Sequence, residues 1–437
     1  MENKTIARTV QAGLCTSCGV CKGVCPRSCI SWSRKEGQYL PEIDASDCVA
    51  CGLCLRVCPG ISFDYPQVAP MDAITGGISK ACNAWSRNPQ MRHVSASGGV
   101  VSAMLNELLD SGTYDAAFCV DAYDYAQQLK TVLVDGEAIR AGKAGSLPKS
   151  RYLAVSHERT AAYMKENRDK RLILIGTSCA VRGLLRVIEQ LKLDREQYLM
   201  IGLFCDQVFN YNVHAYFCRE YAKDKVVAGI HFKNKESGGW PGNMKFLFED
   251  GTSAYQDKSA RMDAKRYFAS ERCQYCVDKL NVMADISLGD NYTQENSSPL
   301  GSNSVIIRTQ RGENAWKQCA SAVEAYPVDV EAIRQAQYLD GRLNNLYFSD
   351  LKQKELGRRG DDYEPINAGI IREHACDDYA RALAARRRQL HAGAVYNQDP
   401  SQLGRLRRKE NRNGGQSVLW SLAGRIYRKV KRAIKRG

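Results

Sequence analysis

Leu172-Ile-Leu-Ile-Gly-Thr-Ser-Cys-Ala-Val-Arg-Gly-Leu-Leu-Arg-Val-Ile-Glu-Gln-Leu-Lys-Leu-Asp-Arg-Glu-Gln-Tyr-Leu-Met-Ile-Gly-Leu-Phe-Cys-Asp206 is the stretch on which the fold turns. Leu172 to Ile175 form a short apolar run, read as a buried strand. From Val181 to Leu193 the pattern is helical, with Leu184, Leu185, Ile188 and Leu191 on the inward face. A second apolar strand runs from Leu199 to Phe204. Strand, helix and strand in so short a span make a βαβ unit, so the two strands are expected to be parallel. Cys179 then stands where the first strand gives way to its helix, and Cys205 just beyond the second strand. Parallel strands end on one edge of the sheet, the edge where α/β proteins place their ligands. Two cysteines far apart in sequence are thereby expected to be neighbours.

Outward from this unit, Ala284–Leu288 and Val305–Arg308 read as further strands. Ser97-Gly98-Gly99 opens a helix with Val100, Val101, Met104, Leu105, Leu108 and Leu109 on one face, ended by Gly112. The fold class expected is α/β, with a partly parallel sheet. The chain has 437 residues, of which 44% are hydrophobic and 25% charged, enough for two or three domains. Four regions are expected: 1–66, rich in cysteine; 80–160 and 161–345, the two parts of the α/β body; and 346–437, a polar and basic helical extension. No secretory signal and no run of ~18 apolar residues is seen, so the expected location is cytoplasmic.

Eighteen cysteines in so long a chain point to metal and redox chemistry in a reducing compartment. Half of them lie before residue 66, in one internal repeat. Cys15-Thr-Ser-Cys18-Gly-Val-Cys21-Lys-Gly-Val-Cys25-Pro26 recurs as Cys48-Val-Ala-Cys51-Gly-Leu-Cys54-Leu-Arg-Val-Cys58-Pro59. Iron–sulfur cubes need soft thiolates on tight turns, and in two-cluster ferredoxins the fourth cysteine of each run serves the other cluster. Cys15, Cys18, Cys21 and Cys58 are therefore assigned to one [4Fe–4S] cluster. Cys48, Cys51, Cys54 and Cys25 are assigned to a second. Gly19 and Gly52 suit a close approach of backbone to sulfide. Zinc prefers two separated cysteine pairs and fits this repeat poorly. The segment resembles bacterial-type two-cluster ferredoxins. Cys29 falls outside the pattern and reads as a packed residue.

A second set is expected to converge from Cys179, Cys205 and the Cys273-Gln-Tyr-Cys276 pair. A third [4Fe–4S] cluster is the simplest species for four such thiols; a zinc site or buried free thiols are the alternatives. Cys82, Cys119, Cys218, Cys319 and Cys376 fit no ligand pattern and read as apolar fillers.

Seven motifs now stand in order: Ser95-Ala-Ser-Gly-Gly99, Lys149-Ser-Arg-Tyr152, Ile175-Gly-Thr-Ser-Cys179, Phe204-Cys205, Phe232-Lys-Asn-Lys235 with Gly239-Trp240, Arg272-Cys-Gln-Tyr-Cys276, and Ala284-Asp-Ile-Ser-Leu-Gly-Asp290. Over residues 80 to 345 the chain resembles the beta-subunit family of coenzyme F-420 (deazaflavin) hydrogenases and dehydrogenases. With its N-terminal module it is similar to the bacterial branch often associated with surface polysaccharide genes. Where that family often has Pro and Gln around its first cysteine, this chain has Ser178 and Ala180; where it often has Ser-Lys-Tyr, this chain has Ser150-Arg151-Tyr152. The resemblance implies a flavin, usually FAD, beside an iron–sulfur cluster, exchanging electrons with a deazaflavin or another small organic substrate. The matching motifs offer Ser97, Gly98, Gly99, Lys149, Tyr152, Thr177 and Asp290 to that flavin. A glycine-rich helix start suits a phosphate, although a serine N-cap would look the same; Lys149 and Arg151 would add charge, or sit on a solvated loop. Asp285 and Asp290 would meet a ribose or a ring N–H, or cap a turn. No residue is assigned as catalytic. An electron-transfer subunit without a substrate of its own, feeding a partner enzyme, is the competing reading. Ferredoxin or another electron carrier protein is the partner expected.

From Gly404 to Gly437 there are twelve Lys/Arg against one Glu, so most of the net charge of +14 belongs to the tail. Leu419, Leu422, Ala423, Ile426, Val430 and Ile434 make an apolar stripe there, with Arg and Lys opposite. That composition predicts an interfacial helix on an anionic membrane, which would hold the protein at the inner face. A helix docked on the protein's own acidic surface is the alternative, and no nucleic-acid partner is expected.

Overall fold

The computed structural model describes residues 4–60, 74–120, 127–140, 150–358 and 377–412. Lys149, Cys376 and the whole amphipathic stripe of the tail lie outside the described residues.

Thirteen strands are named in chain order among the described residues. They are β1 (Ile30–Lys35), β2 (Gln38–Ile43), β3 (Lys80–Ser86), β4 (Ala116–Val120), β5 (Thr131–Asp135), β6 (Leu172–Gly176), β7 (Tyr198–Leu203), β8 (Val227–Asn234), β9 (Asn243–Phe248), β10 (Ser253–Gln256), β11 (Ile286–Asp290), β12 (Asn303–Ile307) and β13 (Val323–Pro327). Eight form one sheet in the order β13-β3-β12-β11-β7-β6-β4-β5. The central strands β4, β6, β7 and β11 are parallel, and the outer pairings are antiparallel. The sheet is thus α/β and partly parallel, as the pattern predicts. Strands from both sides of residue 160 share it, because β4 pairs with β6 and β3 with β12.

The expected βαβ unit is present with shifted ends. Its helix spans Ser178–Leu191, beginning three residues before Val181, because Ser178 and Cys179 already carry helical backbone. The second strand is Tyr198–Leu203, one residue early at each end. Leu184 and Ile188 are fully inward, while Leu185 and Leu191 lie at the rim of the same core. The helix after Gly99 spans Val100–Asp110 and buries Met104, Leu105 and Leu108 against the sheet.

A three-stranded sheet, β10-β9-β8, forms a separate aromatic core with the helix Lys258–Phe268. The extension is no loose appendage. Leu343, Leu346, Tyr379 and Leu383 share a core with Leu14, Tyr275 and Leu280. Among the described residues no helix is long and apolar enough to cross a membrane.

The N-terminal module packs the short helix Val20–Val24 against the helix Glu158–Glu166. Gly23 makes this possible: a Cβ there would lie 2.3 Å from the Glu158 carbonyl oxygen and 2.8 Å from the Ala161 Cβ. Gly19 has the same role. Its φ of 75° is left-handed, and a Cβ would lie 2.2 Å from the Ser156 hydroxyl oxygen. The sequence expectation of room for sulfide is corrected here: the space beside Gly19 belongs to the neighbouring domain. Glu158 completes the seam, accepting from the Trp32 indole at 2.5 Å and pairing with Lys130 at 3.0 Å and Lys22 at 3.4 Å.

Candidate functional site

The two N-terminal runs cross as their spacing implies. Burial pushes the Cys15 thiol up to about 12, reinforced by its neighbour Cys58. Cys18 and Cys21 are raised in the same way, with Cys58 again beside them. Cys54 has Cys51 and Cys25 as its charged neighbours. So Cys58 joins the first run, and Cys25 the second. Donors already point at the sulfurs: the Ser17 N–H at Cys15 (3.4 Å), and the Gly60 N–H (3.3 Å) and Thr9 hydroxyl (3.5 Å) at Cys58.

Cys29 belongs with the second tetrad. It is buried, and its sulfur is 3.5 Å from that of Cys25, with Cys48 its next charged neighbour. It is a packed residue, as its place outside the repeat implies, but it packs on the tetrad itself. Cys51 is exposed, so this tetrad lies at the surface.

The third tetrad assembles at the carboxyl edge of β6 and β7. Asn281, fully buried, donates to the carbonyl oxygens of Gly176 (2.9 Å) and Leu203 (3.4 Å), tying the two strand ends together. Cys179 follows one strand and Cys205 the other. The turn Glu271–Tyr275 brings in Cys273 and Cys276. Burial pushes the Cys205 thiol well up, and Cys273, Cys179 and Cys276 add to the shift, so all four are neighbours. Ser178 donates to the Asp278 carbonyl at 2.7 Å, which fixes the helix start under this loop.

The first and third tetrads are also adjacent. Cys179 is among the groups that raise both the Cys15 and the Cys18 thiols. Among the described residues no three or more His, Cys, Asp or Glu side chains close on the space of a single ion. Soft thiol donors in fours, some of them hydrogen bonded at the sulfur, are the donor set that iron–sulfur clusters take.

The residues offered to a flavin are placed less uniformly. Ser97 is buried and its hydroxyl donates to the Ser302 carbonyl at 2.7 Å. Gly98 is wedged into the sheet edge: a Cβ would lie 2.7 Å from Asn303 Oδ1 and 2.8 Å from the Ala84 carbonyl oxygen. Gly98 is thus closely packed, whereas the Ser97 side chain also lies beside the Asp290 carboxylate. The residue that caps the helix is Gly99, at φ 81°. Thr177 turns its hydroxyl to the Cys179 sulfur at 3.4 Å, and so faces the third tetrad. Arg151 is buried, not on a solvated loop. Asp285 accepts from Arg195, the Met200 N–H, Thr309 and Arg311, and is a structural hub with no lone pair to spare for a ligand.

Asp290, next to Ser97, and Tyr152 carry the rest of the site. Asp290 forms a buried ion pair with Lys233 and accepts from the Trp240 indole and the Tyr292 hydroxyl, both at 3.2 Å. Burial opposes the charge on Asp290, but Lys233 outweighs it and holds the carboxyl below its usual range. Tyr292 is half-exposed and tilted against Trp240, with ring centroids 5.4 Å apart. Tyr152 sits in the left-handed region at φ 59°, with Arg261 and Lys265 over its ring at 5.3 and 5.6 Å. Lys265 in turn pairs at 3.5 Å with Asp206, the residue after Cys205. An aromatic wall, a buried ion pair and cations therefore lie next to the third tetrad. Lys233 is a functional candidate that the motif reading passes over. A lysine in an apolar strand such as Phe232-Lys-Asn-Lys235 is the signal that could have found it.

Residues 81–155 match the N-terminal part of the coenzyme F-420 hydrogenase/dehydrogenase beta subunit, and residues 169–341 match its C-terminal part. Residues 14–60 match a 4Fe–4S dicluster domain. A subunit of the F(420)H(2) dehydrogenase of Methanosarcina mazei is 24% identical over 327 residues, covering 73% of this chain and 86% of that one. The beta subunit of the coenzyme F-420 hydrogenase of Methanococcus voltae is 24% identical over 288 residues, covering 65% and 96%. The coenzyme F-420-dependent sulfite reductase of Methanocaldococcus jannaschii is 25% identical over 287 residues, covering 62% of this chain and 40% of that one. Among solved structures, the F-420-reducing [NiFe] hydrogenase complex of Methanosarcina barkeri aligns with a TM-score of 0.48 and 18% identity, over 67% of this chain and 97% of that one. With both parts of one family matched in order behind an iron–sulfur domain, the chain belongs to the coenzyme F-420 hydrogenase/dehydrogenase beta-subunit family.

Proposed function

We propose that this chain is an iron–sulfur flavoprotein oxidoreductase with three [4Fe–4S] clusters, coupling single-electron transfer to two-electron chemistry on a small organic substrate. The observation that carries the reading is the adjacency of the tetrads, with Cys15 and Cys18 beside Cys179 and the crossed runs beyond them. When bound, the clusters supply one-electron steps, and a flavin converts between those and a hydride. The chain's own contribution is to hold the tetrads close together. Asn281 fixes the strand ends, and the Gly19 and Gly23 seam sets the distance to the N-terminal module.

For the flavin, Tyr152, Trp240 and Tyr292 offer aromatic faces, and Lys233 with Asp290 offers a charge pair to polar ring edges. The N-terminus of the helix Val100–Asp110 remains available to a phosphate through Gly99 and the residues after it. This donor set suits a flavin, and its position beside Cys205 supports electron exchange with the third tetrad.

A second reading, an electron-transfer subunit serving a partner enzyme in surface polysaccharide synthesis or another pathway, draws support from relatives that are themselves named subunits. One experiment separates the two. Anaerobically purified protein is analysed for flavin, and the rate of flavin reduction by a low-potential donor is compared with that of Cys205→Ser. A bound flavin whose reduction slows in the variant supports the proposal. Reduction at the wild-type rate shows that the tetrads do not feed it.

A further inference from the structure

The family match ends at residue 341, and the chain beyond it closes over the third tetrad. Arg342 donates to the Asp206 carbonyl at 2.6 Å and to its carboxylate at 2.5 Å, and lies 3.4 Å from the carbonyl oxygens of Cys205 and Cys276. Asn345 donates to the Cys276 carbonyl at 2.6 Å. From the helix Asp377–Ala394, Arg386 reaches the carbonyls of Arg266 (2.6 Å) and Lys265 (3.1 Å) and the Gln274 side chain (2.9 Å) inside the Cys273–Cys276 loop. Arg272 is buried within that loop. Lys265 and Lys279 face Asp206 at 3.5 and 3.6 Å.

Five cations therefore lie around this tetrad among the described residues; of the carboxylates nearby, Asp206 faces three of them, while Asp278 pairs with Arg182 at 3.7 Å and Glu271 with Arg387 at 3.2 Å. Arg342 lies near Cys276, Cys205 and Cys273 as well as Asp206, and Arg386 near Cys273. Burial lowers Arg386 to about 10, far enough above neutrality to leave it charged. The N-terminal tetrads have cations as well, but Arg27, beside Cys25 and Cys48, is exposed and Lys22 partly so. Arg186 donates to the Cys58 carbonyl at 2.6 Å, and Arg56 to the Cys51 carbonyl at 3.0 Å from an exposed position where solvent and salt screen it. A cube with four thiolates is an anion, and each added electron increases its negative charge. Fixed cations in a shielded site stabilise the reduced form and raise the reduction potential.

We propose that Arg342, just past the family match, and Arg386, from the C-terminal extension, are positioning residues that give the third tetrad's cluster the highest reduction potential of the three. Electrons reaching the N-terminal module then run downhill towards the α/β body. One electron is lost by one cluster and gained by the next, and no proton or bond is exchanged. This inference rests on the three-cluster reading above.

The test is an electron-paramagnetic-resonance redox titration of the full-length, anaerobically purified holoprotein. The third cluster's signal is identified as the one lost, with its iron, in Cys273→Ser. In the wild type its midpoint is expected above the other two. Arg386→Gln and Arg342→Gln should each move that midpoint to lower potential, leave the other two in place and keep the iron. Arg386→Lys, which keeps the charge, should recover most of the shift; a purely structural arginine would change iron content and leave the potential where it was. Lys279→Gln, whose ammonium faces Asp206, preserves the test where a guanidinium variant loses iron, and its midpoint must also fall. A third midpoint below the others, or one unmoved by loss of charge, overturns the inference. Failure of Cys273→Ser to remove iron or signal overturns the three-cluster reading itself, and is a different result.

Discussion

The backbone N–H of His157 donates to the carbonyl oxygen of Cys18 over 2.7 Å. This bond joins the N-terminal iron–sulfur module to the α/β body at the point where the first and third tetrads meet. His157 is buried, and burial lowers its pKa to about 4, so the seam carries a neutral imidazole. The distance between the tetrads is set here by backbone and small residues, and so it is sensitive to a single methyl group.

Gly23→Ala tests that sensitivity. The added Cβ meets the Glu158 carbonyl, and overpacking of this kind costs about 1–3 kcal/mol. The variant should keep its full iron content and melt at lower temperature. Electron transfer from the N-terminal module to the body, followed by stopped-flow absorbance, should slow. An unchanged rate would show that the helix contact does not set the separation.

Glu158→Gln should weaken the same seam. The carboxylate accepts from Trp32 and faces Lys22 and Lys130. Burial raises its pKa, but Trp32 and the two lysines outweigh it, so the folded value lies below the usual 4.5. A depressed carboxyl stabilises the fold above that pH, and the contribution disappears as pH falls through the folded value. Both lysines are about a third exposed, so the loss at pH 7 should be only about 1 kcal/mol. Thermal unfolding at pH 7 in low and high salt measures it, with the gap between wild type and variant narrowing in high salt.

At the proposed flavin site, Asp290→Asn leaves the Lys233 ammonium buried without its charge partner. Breaking such a pair costs about 3–5 kcal/mol, whereas replacing both members by apolar groups is often close to neutral. Lys233→Met with Asp290→Leu should therefore melt nearer to wild type than Asp290→Asn alone, and should still lack flavin fluorescence. Full flavin occupancy in the double variant would move the site elsewhere. Gly98→Asp is a poor probe of a phosphate, because its side chain would collide with Asn303 and the Ala84 carbonyl whatever the ligand.

Deleting residues 416–437 tests the basic tail. Binding to anionic vesicles should be lost with the deletion and weakened by salt in the intact chain, while the cluster absorbance stays. Equal binding by the truncated protein would exclude that segment as the anchor.

The strands and the twelve cysteines are legible in the sequence because their signals are local. Apolar runs mark β6 and β7, a shorter one, Val305–Ile307, marks the end of β12, and a cysteine repeat with its prolines implies the crossed runs. The meeting of Cys179 and Cys205 is legible through one rule about parallel strand ends. What escapes depends on partners distant in sequence. Nothing local in Gly19-Val-Cys-Lys-Gly23 states that Ser156 and Glu158 will fill the space beside it, although two glycines four apart on a helix are a hint of close packing. Arg386 reads as part of a polar extension, because its role depends on Lys265, Arg266 and Gln274 being brought to it. Ser97 and Gly98 resemble a phosphate cradle, and what the sequence does not state is that Ser97 donates to the Ser302 carbonyl and Gly98 packs on Asn303 and Ala84.

The proposed electron flow into the α/β body depends on the third tetrad holding a cluster, and iron content measures that most directly. Protein purified without oxygen should hold about twelve irons per chain, and Cys273→Ser about eight, by four irons to each cube. About eight irons in the wild type, unchanged by Cys273→Ser, would contradict the third cluster and the electron route built on it.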